Sequence, residues 1–402
     1  MSLKILLITQ NFYPELGSAA NRTYVIFKLL NNSKHELNVL TTTPSYPSKS
    51  LFSDNTYFHD RCINSLENQK IYRLKIKRRK QSNSFFSRIM YFKEEFFRLR
   101  VFLKRHKNDY DYVYVTSPNI FMAWATLFFK KKNMKYILEI RDLWPDSANQ
   151  VQGINIKFLM PFLKFLEKRM YNLADKIVIN NLSFQKHIDN KLKTKKPMYY
   201  LPNGVQQKEI QKHKKYNSFT AIYTGNIGHA QDLNKLIKIA HELNSANIPL
   251  IAITYGVKAA NFRESVKNLK YVQLKQPMSR ENCLKEIAKS HISISVLKST
   301  DIFLNVLPGK IIDAISMGTI PVTNLGGYAE KIICENKLGI ASKDADADTL
   351  IHKIINLKLQ PKLQEEMQIN AINYRNNNLI WEDNLKKLEN FLLEGVDIDR
   401  NL

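Results

Sequence analysis

The residues best placed to do chemistry gather in a few short runs. Near the end of the chain, NVLPGKIIDAISMGTIP holds Asn305, Pro308, Gly309, Lys310 and Asp313. Pro-Gly opens a helix there, so Lys310 and Asp313, three residues apart, share one helical face near its positive end. A cation and a carboxylate so placed could hold a phosphate and a ribose diol, or form no more than a surface ion pair. The run Thr224-Gly225-Asn226-Ile227-Gly228-His229 follows a strand and by itself signals only a turn. Gly17-Ser18 follows the first strand and feeds a helix beginning near Asn21-Arg22. Such a turn can offer backbone N–H groups to a phosphate, or be a plain strand-to-helix loop. It lacks the dinucleotide pattern G-x-G-x-x-G. In LEIRDLWPDS (138–147), Arg141 and Asp142 stand at a strand's carboxyl end, where parallel sheets carry function. Asp142 could orient a hydroxyl or a sugar; the alternative is an Arg141–Asp142 ion pair that caps the next loop.

Other chemistries find no support. Asp109-Tyr110-Asp111 spells the D-x-D pattern of divalent-metal sites, but it opens a strand, where capping is the simpler role. The nine histidines include no H-x-x-x-H pair with a downstream ligand, and no G-x-S-x-G elbow occurs. Cys62, Cys283 and Cys334 are scattered without metal-ligand or disulfide-framework spacing, which favours a reducing cytosol.

These residues need a scaffold. Apolar runs rich in Ile, Val and Tyr alternate with helix-length segments from end to end, the signature of βαβ units and parallel sheets. Strands are expected at 4–9, 37–42, 70–76, 112–117, 135–141, 176–180 and 198–203, with helices at 20–31, 85–106, 119–131 and 155–173. The polar stretch 206–218 interrupts the pattern, which restarts with strands at 219–224, 249–255, 271–275, 292–297 and 320–323 and a helical tail from about 346. We therefore expect an α/β protein with one domain over 1–204, a linker at 205–218 and a second domain from 219. Ligands of such sheets bind beyond the strands' carboxyl ends, here in a cleft between facing domains.

Composition adds an anionic partner. Hydrophobic residues at 44% and charged residues at 24% describe a folded chain rather than a disordered one. No window approaches the ~20 apolar residues of a membrane span, and the first apolar run is too short for a signal-peptide core. The net charge is +25, and residues 1–204 carry 35 Lys/Arg against 15 Asp/Glu. Within them, 70–107 holds 14 basic residues against Glu94 and Glu95. Anionic lipid, nucleic acid or a phosphorylated substrate would all answer that charge, though no nucleic-acid module is recognisable. In 85–106, Phe85, Ile89, Phe92, Phe96, Leu99 and Leu103 form an apolar stripe, with Arg88 and Arg98 mostly off it. The stripe either meets a membrane interface or packs on the sheet.

Taken together, QNFYPELGSAANR, TTTPSYPSKSLF, VTSPNIFMAW, EIRDLWPDS, YLPNGV, YTGNIGHAQDL and LPGKIIDAISMGTIPV, in that order, resemble the family 4 GT-B glycosyltransferases of capsule, O-antigen and colanic-acid-type polysaccharides. The resemblance implies two Rossmann-like domains, with a nucleotide sugar held by the second (219–378), an acceptor held by the first, and no metal. It also implies a C-terminal helix within 379–402 that packs back on the first domain. By the same resemblance Gly17 lies against the donor diphosphate; Gly225, Asn226 and Gly228 form a phosphate-side loop; Arg280 lines the nucleotide pocket; Pro308, Gly309 and Lys310 approach the diphosphate; and Asp313 binds ribose hydroxyls. Asn305 and Asp313 replace the two glutamates of the family's E-x7-E motif. His229, Ala230 and Gln231 stand where many relatives have Arg and Lys, and Arg141 where many have His. The implied reaction is retaining transfer, with Asp142, Arg141 and Lys310 as its working residues and a UDP-linked donor, the commoner class within this group. The implied acceptor is a polyprenyl-diphosphate-linked saccharide at the inner face of the cell membrane, the protein being cytoplasmic and peripheral there. A GT-B epimerase or hydrolase acting on sugar nucleotides, or a non-enzymatic polyanion-binding protein, are the alternatives.

Overall fold

A computed structural model describes residues 3–31, 34–45, 52, 59–77, 85–117, 119–146 and 159–394. The chain forms two compact units: Met1–Leu201 with Leu385–Leu402, and Pro202–Asn384.

The first unit runs β1 (Leu3–Ile8), α1 (Ser18–Leu30), β2 (His35–Thr42), α2 (Arg61–Asn64), β3 (Ile71–Leu74), α3 (Phe85–Arg105), β4 (Tyr112–Thr116), α4 (Ile120–Leu127), β5 (Lys135–Ile140), α5 (Met160–Leu173), β6 (Lys176–Ile179), α6 (Phe184–Asp189) and β7 (Met198–Tyr200). Its seven strands lie in the order β3-β2-β1-β4-β5-β6-β7, all pairs parallel. A sheet covered by helices on both faces needs apolar residues on both, and β4 is buried at every position. Strand order reverses between β1 and β4, so the loops after these strands open the crevice where α/β sheets bind ligands.

The second unit runs β8 (Ala221–Asn226), α7 (Leu233–Ser245), β9 (Leu250–Tyr255), α8 (Ala259–Val266), β10 (Val272–Lys275), α9 (Arg280–Lys289), β11 (Ile292–Ser295), α10 (Gly309–Ser316), β12 (Ile320–Thr323), α11 (Gly327–Glu335), β13 (Ile340–Ala341), α12 (Ala347–Lys358), α13 (Pro361–Asn378) and α14 (Trp381–Glu394). Its parallel sheet has the order β10-β9-β8-β11-β12-β13, with the reversal between β8 and β11. The helical tail is thus three helices, and Pro361, which fits only the first turn of a helix, separates the first two.

The stretch 205–218, expected as a linker, is packed onto the second unit. Val205 bridges Ile380, Tyr216 N donates to Lys289 O at 2.9 Å, and Lys215 Nζ donates to Ser290 O at 2.7 Å and Gly318 O at 3.1 Å. Burial lowers the Lys215 pKa from 10.5 to about 7. Only the start of α14 belongs to the second unit; from Leu385 on, the helix belongs to the first. Lys176 Nζ donates to the carbonyls of Phe391 and Leu392 at 2.6 and 2.7 Å, Tyr112 Oη donates to Leu392 O at 2.8 Å, and Phe391 stacks on Tyr199. A lysine at a helix C-terminus satisfies carbonyls that have no partner within the helix.

Candidate functional site

In the second unit the site is built on Gly225. This residue sits at φ +101, and a Cβ there would lie 2.6 Å from Lys310 Nζ, so only glycine leaves room for the amine. Lys310 is the second residue of α10, and its ammonium reaches across to donate to Thr224 O at 2.5 Å, 4.9 Å from the centroid of the Tyr223 ring. Burial pulls its pKa from 10.5 down to about 8, against the opposing effects of Cys283 and Asp313. The amine is therefore charged at neutral pH, with donors beyond the one given to Thr224. Burial, then the charge of Asp313, pushes the Cys283 thiol up to about 11, so it stays protonated.

Asp313 does not pair with Lys310, as the spacing suggested. Its Oδ1 lies 3.1 Å from Arg280 Nη2, and Arg280 Nε donates to Glu209 Oε1 at 2.9 Å. Burial works against the Arg280 charge, but the Asp313 and Glu209 carboxylates more than offset it and hold its pKa up. Arg280 opens α9 and Glu209 ends the 3-10 turn Gln207–Glu209, so two segments converge beside α10. Sequence spacing does not reveal Glu209.

The glycine loop is already occupied by its own side chains. Gly228 N donates to Gln231 Oε1 at 2.7 Å, and Asn226 Oδ1 lies where a Cβ on Gly256 would be, 1.8 Å from that position. A phosphate reaching the Gly228 amide would displace Gln231. Asn305 is exposed at the end of the 3-10 turn Asp301–Asn305. Gly327, at φ +63 in the first turn of α11, comes so close that a Cβ would meet Leu304 O at 2.3 Å. Pro308 caps α10 and Gly309 begins it, which puts Lys310 in the first turn, at the helix end where an anion is favoured.

In the first unit Gly17, at φ 112, caps α1 and accepts from Asn21 N at 3.0 Å. The loop before it is pinned by Thr23 Oγ1 donating to Asn11 O at 2.7 Å, and by Glu15, which accepts from Asn11 Nδ2 and from Ser45 N, each at 2.7 Å. Beyond β5, Arg141 N donates to Ser117 Oγ at 2.8 Å. Burial lowers the Arg141 pKa, with Glu139 acting the other way, and burial raises that of Asp142 against the pull of Arg141. Among the described residues Arg141 and Asp142 form no ion pair with each other. The D-x-D aspartates serve local roles: Asp111 Oδ2 accepts from Lys4 N at 2.8 Å and Asp109 Oδ2 lies 2.7 Å from His106 Nδ1. Among the described residues no cluster of His, Cys, Asp and Glu could hold a metal ion.

The apolar stripe of α3 faces inward in large part. Leu99 and Leu103 are buried, Phe92 stacks on Phe121 at 4.7 Å, and Phe96 lies edge-on to Phe129 at 6.1 Å. Phe92 and Phe96 are thus partly packed on the α4 side, because a crossover helix must bury one face. Arg98 pairs with Glu94 at 2.7 Å, and Ile89 is exposed. The side chains of Phe85 and Arg88 lie outside the described residues.

Residues 205–374 match the family model of Glycosyl transferases group 1. The sequence has no significant match among curated proteins. Among solved structures the chain is similar to sucrose-phosphate synthase from Thermosynechococcus elongatus, at TM-score 0.70 and 12% identity over 98% of each chain. It is also similar to WaaG, a glycosyltransferase involved in lipopolysaccharide biosynthesis, at TM-score 0.67 and 11% identity over 97% of this chain and all of that one. A third is HepE of Anabaena in complex with UDP and glucose, at TM-score 0.65 and 11% identity over 97% and 99%. The chain has the GT-B fold, and its second unit carries a group 1 glycosyl transferase domain.

Proposed function

We propose that this protein is a retaining glycosyltransferase that moves a sugar, an N-acetylated hexosamine or deoxyhexosamine, from a UDP-sugar to a polyprenyl-diphosphate-linked saccharide in cell-surface polysaccharide biosynthesis. The carrying observation is Lys310: a charged amine with free donors, beside the N-terminus of α10, in a group 1 domain. An ammonium and helix amides fixed before reaction stabilise the charge that develops on a departing diphosphate. Asp313 and Arg280 form the ribose side of the site, with Asn305 and Gly327 near the sugar. The UDP assignment is supported by the bound UDP of the Anabaena structure. In the first unit Arg141 balances phosphate charge and Asp142, whose carboxyl is raised by burial, contacts the acceptor. In front-face transfer a diphosphate oxygen takes the acceptor hydroxyl's proton as the C1–oxygen bond to the diphosphate breaks and the new one forms on the same face. The acceptor lipid places the protein at the inner face of the cell membrane.

A thermal-shift screen against UDP, GDP, ADP and CMP, each with and without EDTA, tests this reading, since a ligand of the native state raises the melting temperature. A shift from UDP alone, unchanged by EDTA, is expected. No shift from any nucleotide would overturn it.

A further inference from the structure

The first unit exposes large apolar side chains where a soluble surface would bury them. On α3, Ile89, Phe97 (56% exposed) and Val101 recur at intervals of eight and four, forming a row beside the stripe that packs inward. Phe129, just beyond α4, is 47% exposed, and Phe162 and Phe165 on α5 are 57% and 59% exposed. The three segments are neighbours: the Arg100 guanidinium lies 4.0 Å from the Phe129 ring centroid, and that of Arg169 on α5 lies 5.1 Å from the Phe128 ring.

The charge around these residues is mostly positive, and the nearby carboxylates Asp146 and Asp175 are taken up by Lys164 at 3.6 Å and Lys130 at 2.7 Å. Residues 85–105, 128–132 and 159–173 hold 12 Lys/Arg and three acids, Glu94, Glu95 and Glu167. Glu94 is paired with Arg98, and Glu95 and Glu167 are fully buried. No free carboxylate on these segments offsets Lys93, Lys104, Lys131, Lys132 and Lys168, all of them exposed. Among the described residues no helix is long and apolar enough to cross a membrane. Aromatic and aliphatic side chains standing among unopposed cations suit a surface that lies on a bilayer: rings enter the headgroup boundary while lysines meet anionic lipid.

We propose that α3, the chain just beyond α4, and α5 form the face by which this protein docks on an anionic lipid bilayer. The purpose given to it rests on the lipid-linked acceptor proposed above; the face itself rests on exposure and charge. It differs from the stripe that the helical period of 85–106 singles out, since Phe92 and Phe96 are partly packed against the α4 side and α5 supplies the most exposed rings.

The test is flotation of the full chain with phosphatidylcholine vesicles and with vesicles that also contain phosphatidylglycerol, at low and high salt. Binding is expected to need phosphatidylglycerol and to weaken with salt. A triple variant, Phe97→Ser with Phe162→Ser and Phe165→Ser, should lose binding about tenfold or more while keeping its melting temperature. Replacing Lys93, Lys131, Lys132 and Lys168 by Gln should remove most of the salt dependence. Val257→Ser with Leu359→Ser, which removes exposed apolar side chains of the second unit, should bind as the parent does. Flotation of the triple variant equal to the parent's would overturn the proposal. So would unchanged flotation accompanied by conversion of a dimer to a monomer, which would make the face a contact between copies. UDP thermal shifts on the same proteins separate the two readings: flotation lost in the triple variant, with no UDP shift in any protein, would keep the docking face and remove the transferase.

Discussion

The guanidinium of Arg22 and the carboxylate of Glu139, 117 positions apart, meet in the interior of the first unit with neither side chain exposed. Arg22 Nε and Nη2 donate to Glu139 Oε1 at 2.8 and 2.6 Å, Tyr114 Oη donates to the same oxygen at 3.0 Å, and Arg22 Nη2 also reaches Leu201 O at 2.9 Å. The pair ties α1, which Gly17 caps, to β5, which delivers Arg141 and Asp142. Burial alone would raise the Glu139 pKa, but Arg22 and Arg141 outweigh it and hold the carboxyl below its usual range.

Breaking this pair leaves Glu139 with Arg141 as its remaining buried counter-charge. Arg22→Met should destabilise the protein by about 3–5 kcal/mol, whereas Arg22→Met combined with Glu139→Leu should recover part of that loss, because the buried carboxylate is gone while Arg141 keeps Asp142 nearby. Urea unfolding of the two variants checks this; a double variant no more stable than the single one would mean that Arg22 acts through packing instead.

Acid should loosen the turn before β3. Asp60 accepts from Ile63 N at 3.1 Å and from Lys28 at 2.9 Å, and it also bonds Tyr24. Burial would raise its pKa, but these hydrogen bonds outweigh it and lower it from 3.8 to about 2. Because the folded value is the lower, its stabilisation is present above about 3.8 and is lost as pH falls toward about 2. Asp60→Asn should show less stability at neutral pH and a flatter dependence over that window, measured by unfolding at stepped pH.

Much of this was legible because it is local. Pro308-Gly309-Lys310 announces a helix start, and the alternating runs announce both sheets. What stayed hidden depends on long-range contacts. The Arg280 that holds Asp313 lies 33 positions before it, and the Arg22–Glu139 pair spans 117. Helical period groups Ile89 with Leu99 on α3, yet one is exposed and the other buried, because the partner surface covers only part of the stripe. β13 has two residues, too few to show any period. That Gln231 occupies the Gly228 amide is a rotamer choice that spacing cannot encode.

Gly225→Ala should damage the proposed donor site and the fold together. The new Cβ would face Lys310 Nζ at 2.6 Å, and φ +101 strains any L side chain. A loss of roughly 1–3 kcal/mol is expected from the backbone. The amine must also move, so the UDP thermal shift should shrink by more than the stability loss explains. An alanine variant with the parent's UDP shift would detach Lys310 from the nucleotide.

Lys310 should make nucleotide binding pH-dependent in a defined direction. Its folded pKa of about 8 lies below the ordinary 10.5, so above about 8 the free protein holds the amine neutral. A diphosphate beside it favours the charged form, so binding takes up a proton there. Affinity for UDP should be level between about pH 7 and 8 and weaken above it, by up to about tenfold per pH unit, because the terminal phosphate, with a second pKa of about 6, is already ionised over that range. Lys310→Met should bind more weakly and lose that slope. Lys310→Ala should lower kcat/KM by roughly 10²–10³-fold without lowering the melting temperature, since the amine's burial favours its neutral form and its charge at neutral pH costs stability. Titration calorimetry of UDP across this range checks both. A parent protein whose affinity is flat through pH 9 or so would place the phosphates away from Lys310.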